Sequence, residues 1–466
     1  MNFNVAIDKW MPVLDINGND IIVSLLEVFQ RDDLKCFSGS AVQNYSLMRL
    51  CEAVIYNHED NRPFDRGEWK DLRYEFAKNT VEYITKNVDE FWMEGDRPFL
   101  QAPRDKVIEL AKKSGHNGNP GRVKLNSSDY SGNNSVIRNS HIKEYTSYSR
   151  VALDLLSYMV FGVKGAVSKG PVGGKCQSAN PTTQWESLEG KKPIIRKHGN
   201  LNIYVLADNL HDSLWLNITC DRQQKKQMWT YANTDNDEIL HGSIPMWVQV
   251  SVAYDENKNK FNMIQYDGNV LRFPANCVNH MSPSSYQLDK NTKESRPARV
   301  ENGYRLWKYF GNIMIKGGRP TQLDNAMHSG ISTIKVRALG YVTEPTFFSD
   351  DIVESVDFSY ELSRPTKMDE SDYKEFYDKC TELTTSRYEA LRVKAKKAGI
   401  KDIEAIHEVY WKFLDENSSF LFASEASEDS YAQWEKTVHE ATNNVYDHVA
   451  KKYGYRHAEC MRREHK

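Results

Sequence analysis

The 466-residue chain contains no C-x-x-C pair, although it holds seven cysteines, at 36, 51, 176, 220, 277, 380 and 460. Neither a zinc ribbon nor a disulfide framework is supported, and an odd count at wide spacing fits free thiols in a reducing compartment. Long apolar runs are missing too. The best, VALDLLSYMVFG (151–162), is short and carries Asp154, so it does not read as a membrane span. The start, MNFNVAIDKW, lacks a basic segment followed by an apolar one, so no secretory signal and a cytoplasmic location are expected.

Catalytic signatures are equally scarce. HEVYW (407–411) and HEATN (439–443) lack the second histidine that would put two imidazoles on one helical face. No G-x-S-x-G elbow occurs. The glycine-rich stretch FGVKGAVSKGPVGGK (161–175) is not a P-loop, because Lys169 stands where a glycine is needed and Cys176 where a Ser or Thr is needed. It holds no G-x-G-x-x-G either. His211 and Asp212 are an adjacent His–Asp pair of the kind metal-dependent phosphohydrolases use, but at the start of an amphipathic helix Asp also has an N-terminal role. The expectation is a chain that is not an enzyme and has no metal and no cofactor. The alternative is a metal-dependent hydrolase whose ligands converge only in three dimensions.

What is present is an ordinary globular composition, 40% hydrophobic and 27% charged, with charge unevenly spread over a net of −3. Residues 1–100 carry 11 basic and 18 acidic side chains; residues 101–200 carry 16 and 7; residues 291–340 carry 9 and 3. Local basic surfaces on a near-neutral body suit contact with a polyanion at selected places, or a merely solvated surface. Within 161–175, Gly162, Gly165, Gly170, Gly173 and Gly174 surround Lys164, Lys169 and Lys175. Glycines let main-chain N–H groups approach phosphate or enter a groove without Cβ obstruction, and lysines add counterion-releasing contacts; a solvated loop has the same composition.

Along the chain, WMPVL and IIV flank the turn DINGND (15–20), and Ser24 with Glu27 forms a capping box before LLEVFQ. Helices are expected over 42–56 and 68–91, then a long Gly/Asn/Ser loop over 112–143, a short helix over 148–160 and a polar loop to about 200. A strand at 201–207, a helix at 210–218, a hairpin at 246–268, a helix at 302–315 and a strand at 332–342 follow. Beyond SRPTKMDESD (363–372) lie helices over about 370–398, capped by Gly399, then 401–415 and 427–453, with no proline after Pro365. The expected fold is α+β: a mixed α/β domain over 1–365, then a four-helix-type bundle over 366–466.

Several blocks in order carry a family resemblance: IDKWMPVLDINGNDIIVSLLEVF, FWMEGDRPFLQ (91–101), ADNLHDSLWLNI (207–218), RPARVENGYRLWKYF (296–310) and GGRPTQLDNAMHSGISTIKVRALGYVTEPT (317–346). Together they resemble the CasA family, the large subunit of the type I-E CRISPR surveillance complex Cascade, discontinuously over residues 1–365. The resemblance implies a non-catalytic antiviral subunit. Its partners would be guide RNA (crRNA), a double-stranded DNA target, other Cascade subunits and a helicase–nuclease recruited in trans. It would read the short flanking motif (PAM) from the minor groove and help open the duplex for R-loop formation, while base pairing reads the rest. Residues 162–174 match the family's glycine loop by place and composition. Lys290 or Lys293 matches a lysine that reaches the minor groove. Glu344, Pro345 and Thr346 match a wedge segment, with Pro345 where relatives carry Gln; an apolar wedge can pry base steps apart. The loop 127–143 falls where the family contacts the guide RNA and neighbouring subunits, with Asn133, Asn134, Val136, Ile137, Arg138 and Asn139 at its centre. A purely architectural, RNA-anchoring subunit is a further alternative.

Overall fold

A computed structural model describes residues 3–113, 121–122, 147–161, 185–187, 194–196, 199–220, 244, 248–267, 286–288, 295–297, 299–300, 320–331, 333–345, 350–363, 370–418, 420–423 and 427–463. The fold mixes helices and strands and ends in a helical region. The chain divides into two compact units. One comprises Met1–Asn302, Pro320–Gly330 and Val336–Phe358; the other comprises Gly303–Arg319, Ile331–Lys335 and Ser359–Lys466.

The first unit begins with an antiparallel sheet of β1 (Met11–Asp15), β2 (Asp20–Val23) and β3 (Leu34–Phe37), in the order β2-β1-β3. Asp15 closes the turn by accepting from the Asn19 side-chain amide and from the Asn19 and Asn17 main chain, which together hold its carboxyl below the usual range. Helix α1 (Leu25–Gln30) follows, with the Ser24–Glu27 capping box formed on both sides. Helix α2 (Ala41–Asn57) starts at a second such box, Ser40 with Gln43, and is buried along most of its length.

The region 68–91 is not one helix. It comprises α3 (Arg66–Leu72), α4 (Phe76–Lys86) and a 3-10 turn at Val88–Phe91. Tertiary packing overrides the periodicity. Trp69 must stack on Trp215, ring centroids 4.1 Å apart, while α4 packs on α1 and α2. The chain turns at 73–75 to serve both faces. Each indole of that pair also donates to the other residue's carbonyl, at 3.2 and 2.7 Å. Two fully buried N–H groups are thereby satisfied.

Helix α5 (Arg104–Lys113) enters the region expected as loop, and a two-residue strand there, β4 (Gly121–Arg122), pairs with a later strand. Helix α6 (Tyr148–Phe161) runs to the edge of the glycine-rich stretch. Short strands β5 (Trp185–Ser187), β6 (Ile194–Arg196) and β7 (Gly199–Asn200) precede β8 (Asn202–Leu206) and α7 (Leu210–Asn217). β9 (Val248–Asp255) and β10 (Lys260–Asp267) form the expected hairpin, which turns through Asn259 at φ +48°. β11 (Tyr286–Leu288) pairs with β12 (Ser295–Pro297), and β13 (Arg299–Val300) with β7. α8 (Thr321–His328) leads into β14 (Thr333–Pro345) and β15 (Asp350–Ser363), which join β8 in the order β15-β14-β8. The helix expected at 302–315 lies outside the described residues.

In the second unit, α9 (Glu370–Lys397), α10 (Ile403–Glu416), α11 (Phe420–Ala423), α12 (Glu428–Tyr453) and α13 (Tyr455–Arg463) pack around Tyr377, Leu391, Tyr410, Trp411, Trp434 and Val445. α9 ends where expected. Gly399 adopts φ +78°, a value a side chain would resist, and Ile400 N–H closes back on the Ala395 carbonyl at 3.0 Å. α13 adds a short helix after Gly454, at φ +94°.

Candidate nucleic-acid interface

Two segments expected to contact DNA spring from one buried cluster in the first unit. α6 ends at Phe161, a buried ring that meets Tyr45 of α2 edge-on at 4.9 Å, and Gly162 is the next residue in the chain. Tyr45 also meets Tyr204 of β8 at 5.6 Å, and its hydroxyl donates to Asn202 Oδ1 at 3.2 Å. The Asn202 side-chain amide then donates to the Leu339 carbonyl of β14 at 3.5 Å. β14 carries Glu344 and Pro345 at its C-terminal end, Glu344 being five residues beyond Leu339, or about 17 Å along an extended strand. The roots of the glycine stretch and of the wedge segment are thus tied through Phe161, Tyr45 and Asn202.

Further contacts stiffen this root. Asp154 of α6, almost fully buried, accepts from Gln43 at 3.3 Å and from Arg150 at 2.8 Å, which clamps α6 to the capping residue of α2. Among the described residues, β8 pairs with β14 alone. At Val205, the Asn217 side chain acts as a substitute strand partner, accepting from the N–H at 3.1 Å and donating to the carbonyl at 2.7 Å. On the β14 strand, Ile334, Val336 and Ala338 are buried, with Lys335 and Arg337 half-buried between them, which is the alternation read from sequence.

One turn of α2 beyond Tyr45 sits a buried ion pair, Arg49 with Glu52. Burial pushes the Glu52 carboxyl up to about 7, against the downward pull of Arg49. Burial likewise raises Tyr45 and Cys51.

Of the residues expected to contact nucleic acid or partner subunits, only Glu344 and Pro345 lie among the described residues. Thr346, the glycine stretch (Gly162, Lys164, Gly165, Lys169, Gly170, Gly173, Gly174 and Lys175), Lys290, Lys293 and the Asn133–Asn139 loop lie outside the described residues. By chain order, both lysines fall in the six-residue connection 289–294 between the paired strands β11 and β12. Tyr45, Asn202, Asn217 and Asp154 were not singled out. Their contacts between elements span up to 157 residues and no local pattern encodes them, whereas the Arg150–Asp154 pair has ordinary i,i+4 helical spacing.

The His211–Asp212 pair has structural partners. Asp212 takes both oxygens to Arg73, at 2.7 and 2.9 Å, and the Arg73 guanidinium lies 5.0 Å from the Trp215 ring centre. Asp212 N–H is capped by Asn209 Oδ1 at 2.7 Å. His211 Nε2 lies 2.9 Å from the Val28 carbonyl oxygen, and Nδ1 lies 3.2 Å from Asp32. Among the described residues, no group of three or more His, Cys, Asp or Glu is arranged to hold a metal ion, and no helix is long and apolar enough to cross a membrane. The five described cysteines carry free thiols.

A mixed α/β body with two chain segments rooted in one rigid cluster, followed by a helical region, defines a scaffold for loops. Residues 4–445 match the family model of CRISPR-associated protein Cse1, and the chain belongs to that family. Its fold is similar to that of Thermus thermophilus CasA (Cse1), with a TM-score of 0.73 at 17% identity over 99% of this chain and 98% of that one. Thermobifida fusca Cse1 is similar at a TM-score of 0.68 and 16% identity, over 99% and 97%. A chain of a CRISPR RNA-guided surveillance complex is similar at 0.67 and 15%, over 99% and 98%. Among curated proteins, none matches.

Proposed function

We propose that this chain is the large, non-catalytic subunit of a Cascade-type, RNA-guided surveillance complex, and that it reads the flanking motif of duplex DNA from the minor groove. Family membership and the resemblance to a chain of such a complex support the assembly. The observation that carries the DNA reading is the shared root, Phe161–Tyr45–Asn202–Leu339, from which the glycine stretch and the Glu344–Pro345 end both depart. Recognition loops work when a rigid base fixes where they begin. The glycine stretch brings main-chain N–H groups and Lys164, Lys169 and Lys175 to the backbone of the duplex. Lys290 or Lys293 enters the groove. Pro345, with no hydrogen bond to offer a base, acts as an apolar wedge that favours opening. The Asn133–Asn139 loop meets guide RNA and neighbouring subunits, and a separate helicase–nuclease is recruited once the duplex is open. A minor-groove reader mainly separates A·T from G·C, so several flanking motifs are tolerated.

The test is gel-shift binding by the assembled complex to duplexes that differ only in the flank. Unequal binding across the panel, flattened by Gly170→Asp or Lys169→Ala, is the expected result. Equal binding to every flank by the unmodified complex removes the readout role. Target binding untouched by both substitutions reduces the chain to an RNA-anchoring subunit.

A further inference from the structure

The helical unit carries a groove of about 410 Å³ between α9 and α12 that the DNA reading does not use. On α9 its lining is Arg387, Ala390, Leu391 and Lys394, spaced as one helical stripe. On α12 the stripe runs from Ala432 through Glu435, Lys436 and His439 to Tyr446. From Ala432 to Tyr446 the helix rises about 21 Å, close to four turns. Ala390 and Ala432 are both exposed, so each wall presents one small side chain at its surface. Arg387 and Lys436 are exposed beside Glu435, the one acid of the lining among the described residues, whereas Lys394 is buried; Lys436 also lies 4.0 Å from Glu440.

The same valley already holds a helix at one end. α13 packs against both α9 and α12, with Ala458 and Met461 buried. Its last turn places the Arg462 guanidinium 5.3 Å from the ring centre of Tyr446, the residue that ends the groove. The open groove therefore begins where α13 stops. Single-stranded nucleic acid fits it less well. Such strands need exposed aromatic faces for base stacking, and among the described residues of this lining the one ring of Phe, Tyr or Trp is Tyr446, which is 5% exposed and covered by Arg462.

We propose that this groove docks an acidic amphipathic helix of a partner protein, which continues the line of α13 along α9 and α12. Small or aliphatic side chains of that helix meet Ala390 and Ala432, and its carboxylates meet Arg387 and Lys436. This inference does not depend on how the first unit meets DNA.

The experiment uses the full chain and fluorescence anisotropy. The probes are a labelled helical peptide of about 18 residues built from Leu, Ala and Glu, the same peptide with every Glu replaced by Lys, and an oligo-dT of matching length. The acidic peptide binds and weakens as salt rises, and the lysine peptide does not bind. Arg387→Glu with Lys436→Glu lowers the acidic peptide's affinity about tenfold, and Ala432→Trp blocks it, while circular dichroism keeps the helical melt of both variants in place. No binding of the acidic peptide, or binding indifferent to these substitutions, overturns the proposal. So does oligo-dT binding that is lost in the same variants, which would assign the groove to nucleic acid.

Discussion

Replacing Glu52 by Gln is expected to stabilise the first unit at pH 8 and to do so much less at pH 5. Glu52 is 2% exposed on α2, and its partner Arg49 is 4% exposed. Burial raises its pKa from 4.5 to about 7, so desolvation outweighs the attraction of Arg49. Between those values the folded chain holds a proton that the unfolded chain has released. Stability therefore falls as pH rises from about 4.5 and levels off above about 7. The loss amounts to about 3 kcal/mol, since each tenfold change in proton affinity is worth about 1.4 kcal/mol. Gln is an uncharged isostere of the protonated acid, so at pH 5 the two proteins carry nearly the same buried groups. At pH 8 the variant avoids the cost of a buried carboxylate and exceeds the unmodified protein by about 3 kcal/mol. Urea unfolding followed by tryptophan fluorescence at pH 5, 6, 7 and 8 reads the difference, from which the other titrating groups cancel. A difference that stays constant with pH refutes the reasoning. A variant less stable than the unmodified protein at pH 8 does so as well, because the ion pair would then be a net stabiliser.

Two other substitutions test the root and the His–Asp pair. Asn202→Ala strips the buried Tyr45 hydroxyl and the Leu339 carbonyl of their partner and is expected to destabilise the first unit by about 2 kcal/mol in urea unfolding; no change would mean that these contacts do not hold the root. Asp212→Ala removes the bidentate partner of Arg73 and is expected to cost about 1–3 kcal/mol of stability; a divalent-metal-dependent nuclease activity of the purified chain that vanishes in this variant would instead make the pair catalytic.

Short-range chemistry was legible in the sequence, and long-range chemistry was not. The Ser24–Glu27 box, the Gly399 cap and the β9–β10 hairpin each depend on residues close to one another in the chain, and all are observed. The alternation Val356, Phe358, Tyr360, Leu362 that marks β15 was equally visible but stands beside the composition shift at 363–372, which drew the boundary instead. The break between α3 and α4 had no local signal, because it is set by Trp69 seeking Trp215 across the fold. The same holds for the site. The expected contact residues were read from local glycine, lysine and proline patterns and from the family resemblance, and most lie outside the described residues. Asn202 and Asn217 look like ordinary polar residues until the strand edge and the tyrosine they satisfy are known.

That division has a mechanical consequence for the two arms. In sequence, the described part of each ends at or beside a residue that disfavours prolonging the element behind it. Phe161, fixed by Tyr45, is followed by Gly162, whose backbone freedom works against continuing a helix. β14 ends on Pro345, which has no N–H for a further rung of the ladder. A helix end and a strand end are thus joined through Asn202, and in the proposed reading each leads toward a recognition segment. Slack introduced at Asn202 would reach both arms together, whereas Gly170→Asp or a change at Pro345 would alter one arm and leave the other anchored. A loss of target binding shared by both arms in Asn202→Ala, set against partial losses in the single-arm variants, is what a common root requires.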